Sequence, residues 1–298
     1  YYGKDRPYLD GYKAFFVKTA GVVNGIIGGQ FDAEFRGRTP AERDQLVKAM
    51  GDKVVVTEGP WITNIQLAFN TERKPLDDER VRRALTIAID RWGGSEALGK
   101  ISLIKGVGGM FRPGSPFGLT PAELEKMPGF ARDMSKAREE AKALLKEAGV
   151  TNLKLKLLNR NIGEPFSPAG VYTVDQLRRI GVEVEHVSLE TKLYFDNMDK
   201  GEFDIVVTNV SDFVDDPNAQ FNTLVSKTKS TISYSRHSDA KVDAMYDKQS
   251  ATLDPAERQK LVKELETYLH QKAYSVPLLW YQRIVVNNRK VKGWDLQP

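Results

Sequence analysis

The chain has 298 residues, enough for two ordinary cores, and its 41% hydrophobic and 28% charged residues are the balance of a globular protein. Its 44 Lys and Arg against 40 Asp and Glu leave a formal charge of +4, spread along the chain, which excludes the clustered basic stripe of a nucleic-acid binder. No apolar run approaches the ~20 residues of a membrane-spanning helix, and the absence of cysteine excludes disulfides, thiolate metal sites and cysteine nucleophiles.

The chain starts at Tyr1, without Met, in a stretch that reads as a turn entering a strand. We therefore expect a longer protein upstream, beginning with an export signal. The small-residue run 19–28 predicts a helix. Thr39-Pro40-Ala41-Glu42 starts another, with a capping Thr, Pro at the first helical position and Glu at the third. That helix should run through Ala49 and stop at Gly51, before two strands at 53–57 and 62–69. From Asp78, residues Val81, Leu85, Ala88 and Ile89 share one helical face, while Arg80, Arg82 and Arg83 lie nearer the polar side. A Gly/Pro-rich loop spans 106–118, and Ser135 opens a helix closed by Gly149.

The next segment alternates most clearly. Strands are predicted at 153–158, 182–187 and 203–208, with helices at 171–180 and 190–200 between them. That order predicts a parallel or mixed α/β sheet flanked by helices. In such sheets ligands bind beyond the carboxyl ends of the strands. Asp254-Pro255-Ala256-Glu257 then starts a strong helix to about 271, and two closing strands follow at 276–281 and 283–287.

Catalytic and metal chemistry find little support. The three histidines, His186, His237 and His270, have no short ligand spacing and read as surface or half-buried residues. There is no Gly-x-Ser-x-Gly elbow, and Gly106-Val107-Gly108-Gly109-Met110 lacks the Lys-Ser/Thr of a phosphate loop, so it reads as a flexible turn. No catalytic residue, metal site or cofactor is assigned. The acidic patch Asp212-Phe213-Val214-Asp215-Asp216-Pro217 directly follows a predicted strand. A carboxylate there suits an ammonium or guanidinium by charge-assisted hydrogen bonds; equally, these acids suit the cap of a following helix. Asn159-Arg160-Asn161 is a second polar cluster on the same predicted edge. Trp280 and Tyr281 suit either an aromatic wall or core packing.

Several ordered motifs resemble the family 5 extracellular solute-binding proteins of ABC transporters, nearly end to end. They include Pro7-Tyr8-Leu9-Asp10, Gly28-Gly29-Gln30-Phe31-Asp32, and the stretch from Asn70 through Asp77-Asp78-Glu79-Arg80-Val81-Arg82-Arg83-Ala84-Leu85 to Asp90-Arg91. Gln176-Leu177-Arg178-Arg179-Ile180-Gly181, Phe203-Asp204, Asp216-Pro217, Val276-Pro277-Leu278 and Lys292-Gly293-Trp294 follow in the family's order.

The resemblance implies an α/β fold of the periplasmic-binding-protein type, with one complete lobe at 71–272. Residues 1–70 and 273–298 would belong to a large domain whose front lies upstream. It also implies a periplasmic carrier, not an enzyme, that closes two lobes on a small peptide-like or opine-like solute and delivers it to a membrane permease. The family's ligand-gripping Asp corresponds to Asp212, although Asn209 stands where the family usually has Trp. Asn209, Phe213, Asn159, Arg160, Asp216, Trp280 and Tyr281 complete the expected ligand-binding set. Two alternatives are weighed beside this: the ligand-sensing domain of a regulator, and a hydrolase acting through Asp212 and Asp216.

Overall fold

The computed structural model describes residues 10–17, 19–211, 214 and 216–293. The opening motif at 1–9, the site candidates Asp212 and Phe213, and Asp215 and Trp294 lie outside the described residues.

Helix α1 (Thr19–Ile27) packs on α2 (Pro40–Met50) through Val22, Val23, Ile26 and Leu46, which close over Val54 and Val286. The start of α2 is set locally: Thr39 Oγ1 accepts from Glu42 N (3.3 Å) and Glu42 Oε2 accepts from Thr39 N (2.9 Å). Strand β1 (Val54–Phe69) is continuous over 16 residues, where two strands were expected. Helices α3 (Glu79–Ile87) and α4 (Arg91–Leu98) lead to the short β2 (Ile104–Gly106). After α5 (Pro121–Leu124) and α6 (Met134–Glu147), the alternating segment gives β3 (Lys154–Arg160), α7 (Phe166–Arg178), β4 (Glu183–Leu189), α8 (Thr191–Lys200) and β5 (Ile205–Ser211). Helices α9 (Pro217–Phe221), α10 (Ala240–Ala251) and α11 (Pro255–Lys272) precede β6 (Ser275–Asn288), again one strand in place of two.

Among the described residues, six strands form one sheet in the order β2-β6-β1-β5-β3-β4. Strand β3 runs parallel to β4 and β5, whereas β1 is antiparallel to both β5 and β6, so the sheet is mixed. Alternation along each strand splits the core into two faces. Ile65, Leu67, Leu155, Leu157, Ile205 and Val207 meet α3 and α7 on one face. Ala68, Leu158 and Val206 meet Tyr194 and Met198 of α8 on the other.

Three local expectations are corrected. Arg82 is buried rather than solvated, because its guanidinium donates to the carbonyls of Leu76 (2.8 Å), Asp77 (3.0 Å) and Lys272 (3.0 Å) and lies over the Tyr274 ring. His237 and His270 are buried too. His237 stacks flat on Tyr274 at 3.9 Å and contacts Ser235 Oγ through Nδ1 at 2.8 Å. The glycine segment after β2 is packed, not flexible: Glu266 on α11 accepts from Met110 N (2.7 Å) and Leu119 N (3.2 Å), and Trp280 Nε1 donates to Gly109 O (3.1 Å). A side chain at Gly109 would collide with the Glu266 carboxylate, which explains the glycine.

Candidate solute-binding edge

The parallel strands β3 and β5 pair at Leu157–Ile205 and Leu158–Val206, and Arg160 closes β3 while β5 runs on to Ser211. Its Nε donates to Thr191 Oγ1 (3.1 Å) at the start of α8, and its guanidinium carbon lies 5.7 Å from the Phe166 ring and 5.4 Å from the Phe195 ring. Two aromatic contacts and one hydroxyl fix the cation without neutralising it. Arg160 is half-buried and forms no ion pair among the described residues. Phe195, itself partly exposed, and Thr191 were not foreseen as neighbours of Arg160. They are distant in sequence and meet it only because β4 returns parallel to β3 and sets α8 beside it.

Asn209 lies on the row Ile205, Val207, Asn209 of β5, opposite Ile65 of β1. The first two members are core, and Asn209 is where that row emerges as exposed side chain. Ser211 ends the strand, its Oγ 2.9 Å from Thr63 Oγ1. Asp212 follows directly in the sequence.

Other members of the expected set serve the interior. Asn159 is fully buried: Nδ2 donates to Phe166 O (2.8 Å) and meets His186 Nε2 (3.0 Å), while Oδ1 accepts from Arg160 N (2.9 Å). It braces β3 against α7 and orients the backbone under Arg160. Asp216 caps α9 by accepting from Asn218 N (2.8 Å), and receives both Arg258 nitrogens at 2.9 Å. Arg258 holds its carboxyl below the usual carboxylate range. That bidentate pair occupies the Asp216 carboxylate and leaves it poorly placed as one half of a catalytic pair.

Trp280 is 1% exposed and packs on the glycine loop. Tyr281, on the opposite face, packs edge-on against Trp61 (6.0 Å) within the main core, and burial pushes its phenol pKa up. The link from β3 to α7 adds one group unmarked in the sequence. Glu164 accepts from Ser102 Oγ (2.5 Å) and Leu103 N (3.3 Å), has no basic partner among the described residues, and is pushed up by burial.

Residues 1–231 match the family model described as bacterial extracellular solute-binding proteins, family 5 Middle. The chain is 27% identical over 280 residues to the periplasmic oligopeptide-binding protein OppA of Escherichia coli, a match covering 91% of this chain and 48% of that protein. It is 26% identical to the dipeptide-binding protein of the same species, covering 85% and 47%. The chain thus spans about half the length of these relatives. Among solved structures, the binding protein DppA from Helicobacter pylori in complex with the peptide STSA superposes with a TM-score of 0.79 at 21% identity, covering 93% of this chain and 52% of that one. The Escherichia coli murein tripeptide binding protein MppA gives 0.77 at 24%, covering 92% and 52%. The fold, the order of motifs and the family match agree: the chain belongs to the family 5 bacterial extracellular solute-binding proteins.

Proposed function

We propose that the protein is the solute-binding component of an ABC importer, acting outside the cytoplasmic membrane in the periplasm. It captures a small zwitterionic solute, peptide-like or opine-like, and presents it to a membrane permease. The observation that carries this reading is Arg160: a half-buried cation at the end of β3, fixed by Thr191, Phe166 and Phe195 and paired with no carboxylate among the described residues. A planar guanidinium held in this way suits bidentate capture of a solute carboxylate. Asp212, next in sequence after β5, would take the solute's ammonium. The relatives named above are oligopeptide- and dipeptide-binding proteins, which supports the class. Closure around the solute follows from its tighter binding to the closed form.

The test is a thermal-shift screen of the complete gene product against dipeptides, tripeptides and carboxyethyl amino-acid opines. At least one class should raise the melting temperature in a concentration-dependent way. No shift across all three classes would overturn the reading.

A further inference from the structure

On and beside the face of the sheet that carries Trp280, three buried amide side chains have unspent hydrogen-bonding capacity among the described residues. Asn64 is 0% exposed, and neither its Nδ2 nor its Oδ1 has a hydrogen-bond partner among the described residues. Turning that amide over leaves the same donor and acceptor unspent. Gln66, two residues on and therefore on the same face of β1, is 1% exposed with Nε2 unpartnered. Gln220 on α9 is 0% exposed; its Nε2 donates to Met110 O, and its Oε1 has no partner.

The three converge. Directly opposite residues of an antiparallel pair share a face. Asn64 lies opposite Val210 and Trp280, and Gln66 lies opposite Thr208. Trp280 Nε1 donates to Gly109 O, and the next carbonyl, Met110 O, receives Gln220. The glycine loop therefore joins the Trp280 face of β1 to Gln220. This face continues along β5 to Val210, one residue before the strand becomes part-exposed at Ser211.

Buried amides without partners are costly, and a fold that retains three in one place retains them for a ligand group that completes them. Asn64 Nδ2 and Gln66 Nε2 offer donors; Asn64 Oδ1 and Gln220 Oε1 offer acceptors. That set complements a carboxamide, which also carries both. An ionised carboxylate or ammonium would bring a bare charge against neutral amides, and an alkyl group would leave every amide unpaired. We propose that this face is a pocket for a neutral carboxamide group of the solute. The inference rests on the solute-binding reading above and adds the side-chain class.

Calorimetric titration of the complete gene product with alanyl-glutamine, alanyl-glutamate and alanyl-leucine, and with the three corresponding carboxyethyl opines, tests it. The glutamine form of the better backbone should bind at least about tenfold tighter than the other two. The double variant Asn64→Leu/Gln66→Leu should lose that preference while its unliganded melting temperature stays level or rises, since apolar groups replace unpaired amides. Gln220→Met, a single change, should lower the preference at least about threefold and serves if the double variant does not fold. Binding without a glutamine preference, or a preference that a folded variant retains, overturns the pocket and leaves the solute-binding reading standing. Failure of all six probes to bind the natural protein counts against that reading, and the pocket falls with it.

Discussion

Arg91 is 1% exposed, and none of its hydrogen-bond partners is a carboxylate. It donates to the carbonyls of Pro277 (2.7 Å), Gly129 (2.8 Å) and Thr86 (3.1 Å), and lies 4.8 Å from the Phe130 ring. Desolvation pulls its pKa down to about 9. Arg91→Met would strand those carbonyls, so chemical denaturation should show a loss of about 3 kcal/mol; a loss under about 1 kcal/mol would contradict that role. His237 offers a pH test. Burial lowers its pKa from 6.5 to about 4, with Asp239, Asp243 and Arg82 as the charged groups nearby. The unfolded chain therefore binds more protons between those values, and stability is lost as pH falls from 6.5 toward 4. From pH 7 to 4.5 His237 should account for about 2 kcal/mol of the loss, read as the difference between the protein and His237→Asn in urea titrations at each pH. Parallel curves would contradict it. Neither burial was legible in the sequence, where a charged or titratable residue counts as polar until its carbonyl partners, distant along the chain, are known.

At the scale of elements, local signals were legible and non-local ones were not. The starts of α2 and α11 are read directly from Thr39 and Asp254, because a cap and the amide it satisfies lie within one turn. Thr39→Ala removes one side of the capping box and should cost about 1 kcal/mol in thermal or urea unfolding. An unchanged midpoint would show that packing against Val54 and Val286 alone holds α2. The strands behave differently. Gly59-Pro60 reads as a break, yet β1 continues through it. There β1 pairs with β6 while the β5 ladder begins only at Thr63, so Pro60 occupies a one-sided stretch that tolerates its missing donor. The same ladder fuses the two expected closing strands into β6. Alternation from β3 to β5 was legible because each strand there follows its own helix within a short span.

For the whole molecule, the sheet order makes β1 and β6 neighbours, and both run from the α1–α2 layer into the main core. Boundaries were expected near residues 70 and 272. We propose an earlier division, at the register shift between Pro60 and Asn64, beyond which β1 pairs with β5 as well as β6. Sequence reasoning proposed a place, beyond the carboxyl ends of β3 and β5, more readily than a list of residues. Spacing proposed Asn159, Asp216 and Trp280, but their hydrogen bonds turn inward, and Thr191 and Phe195 reach Arg160 only through parallel pairing. The claim that this edge holds a charged solute rests most on Arg160. Its direct test is calorimetric titration of the complete protein and its Arg160→Ala variant with the tightest-binding solute from the screen. Loss of at least about 1.5 kcal/mol of binding free energy, more than tenfold in Kd, is predicted. Equal affinities in two folded proteins would contradict the account.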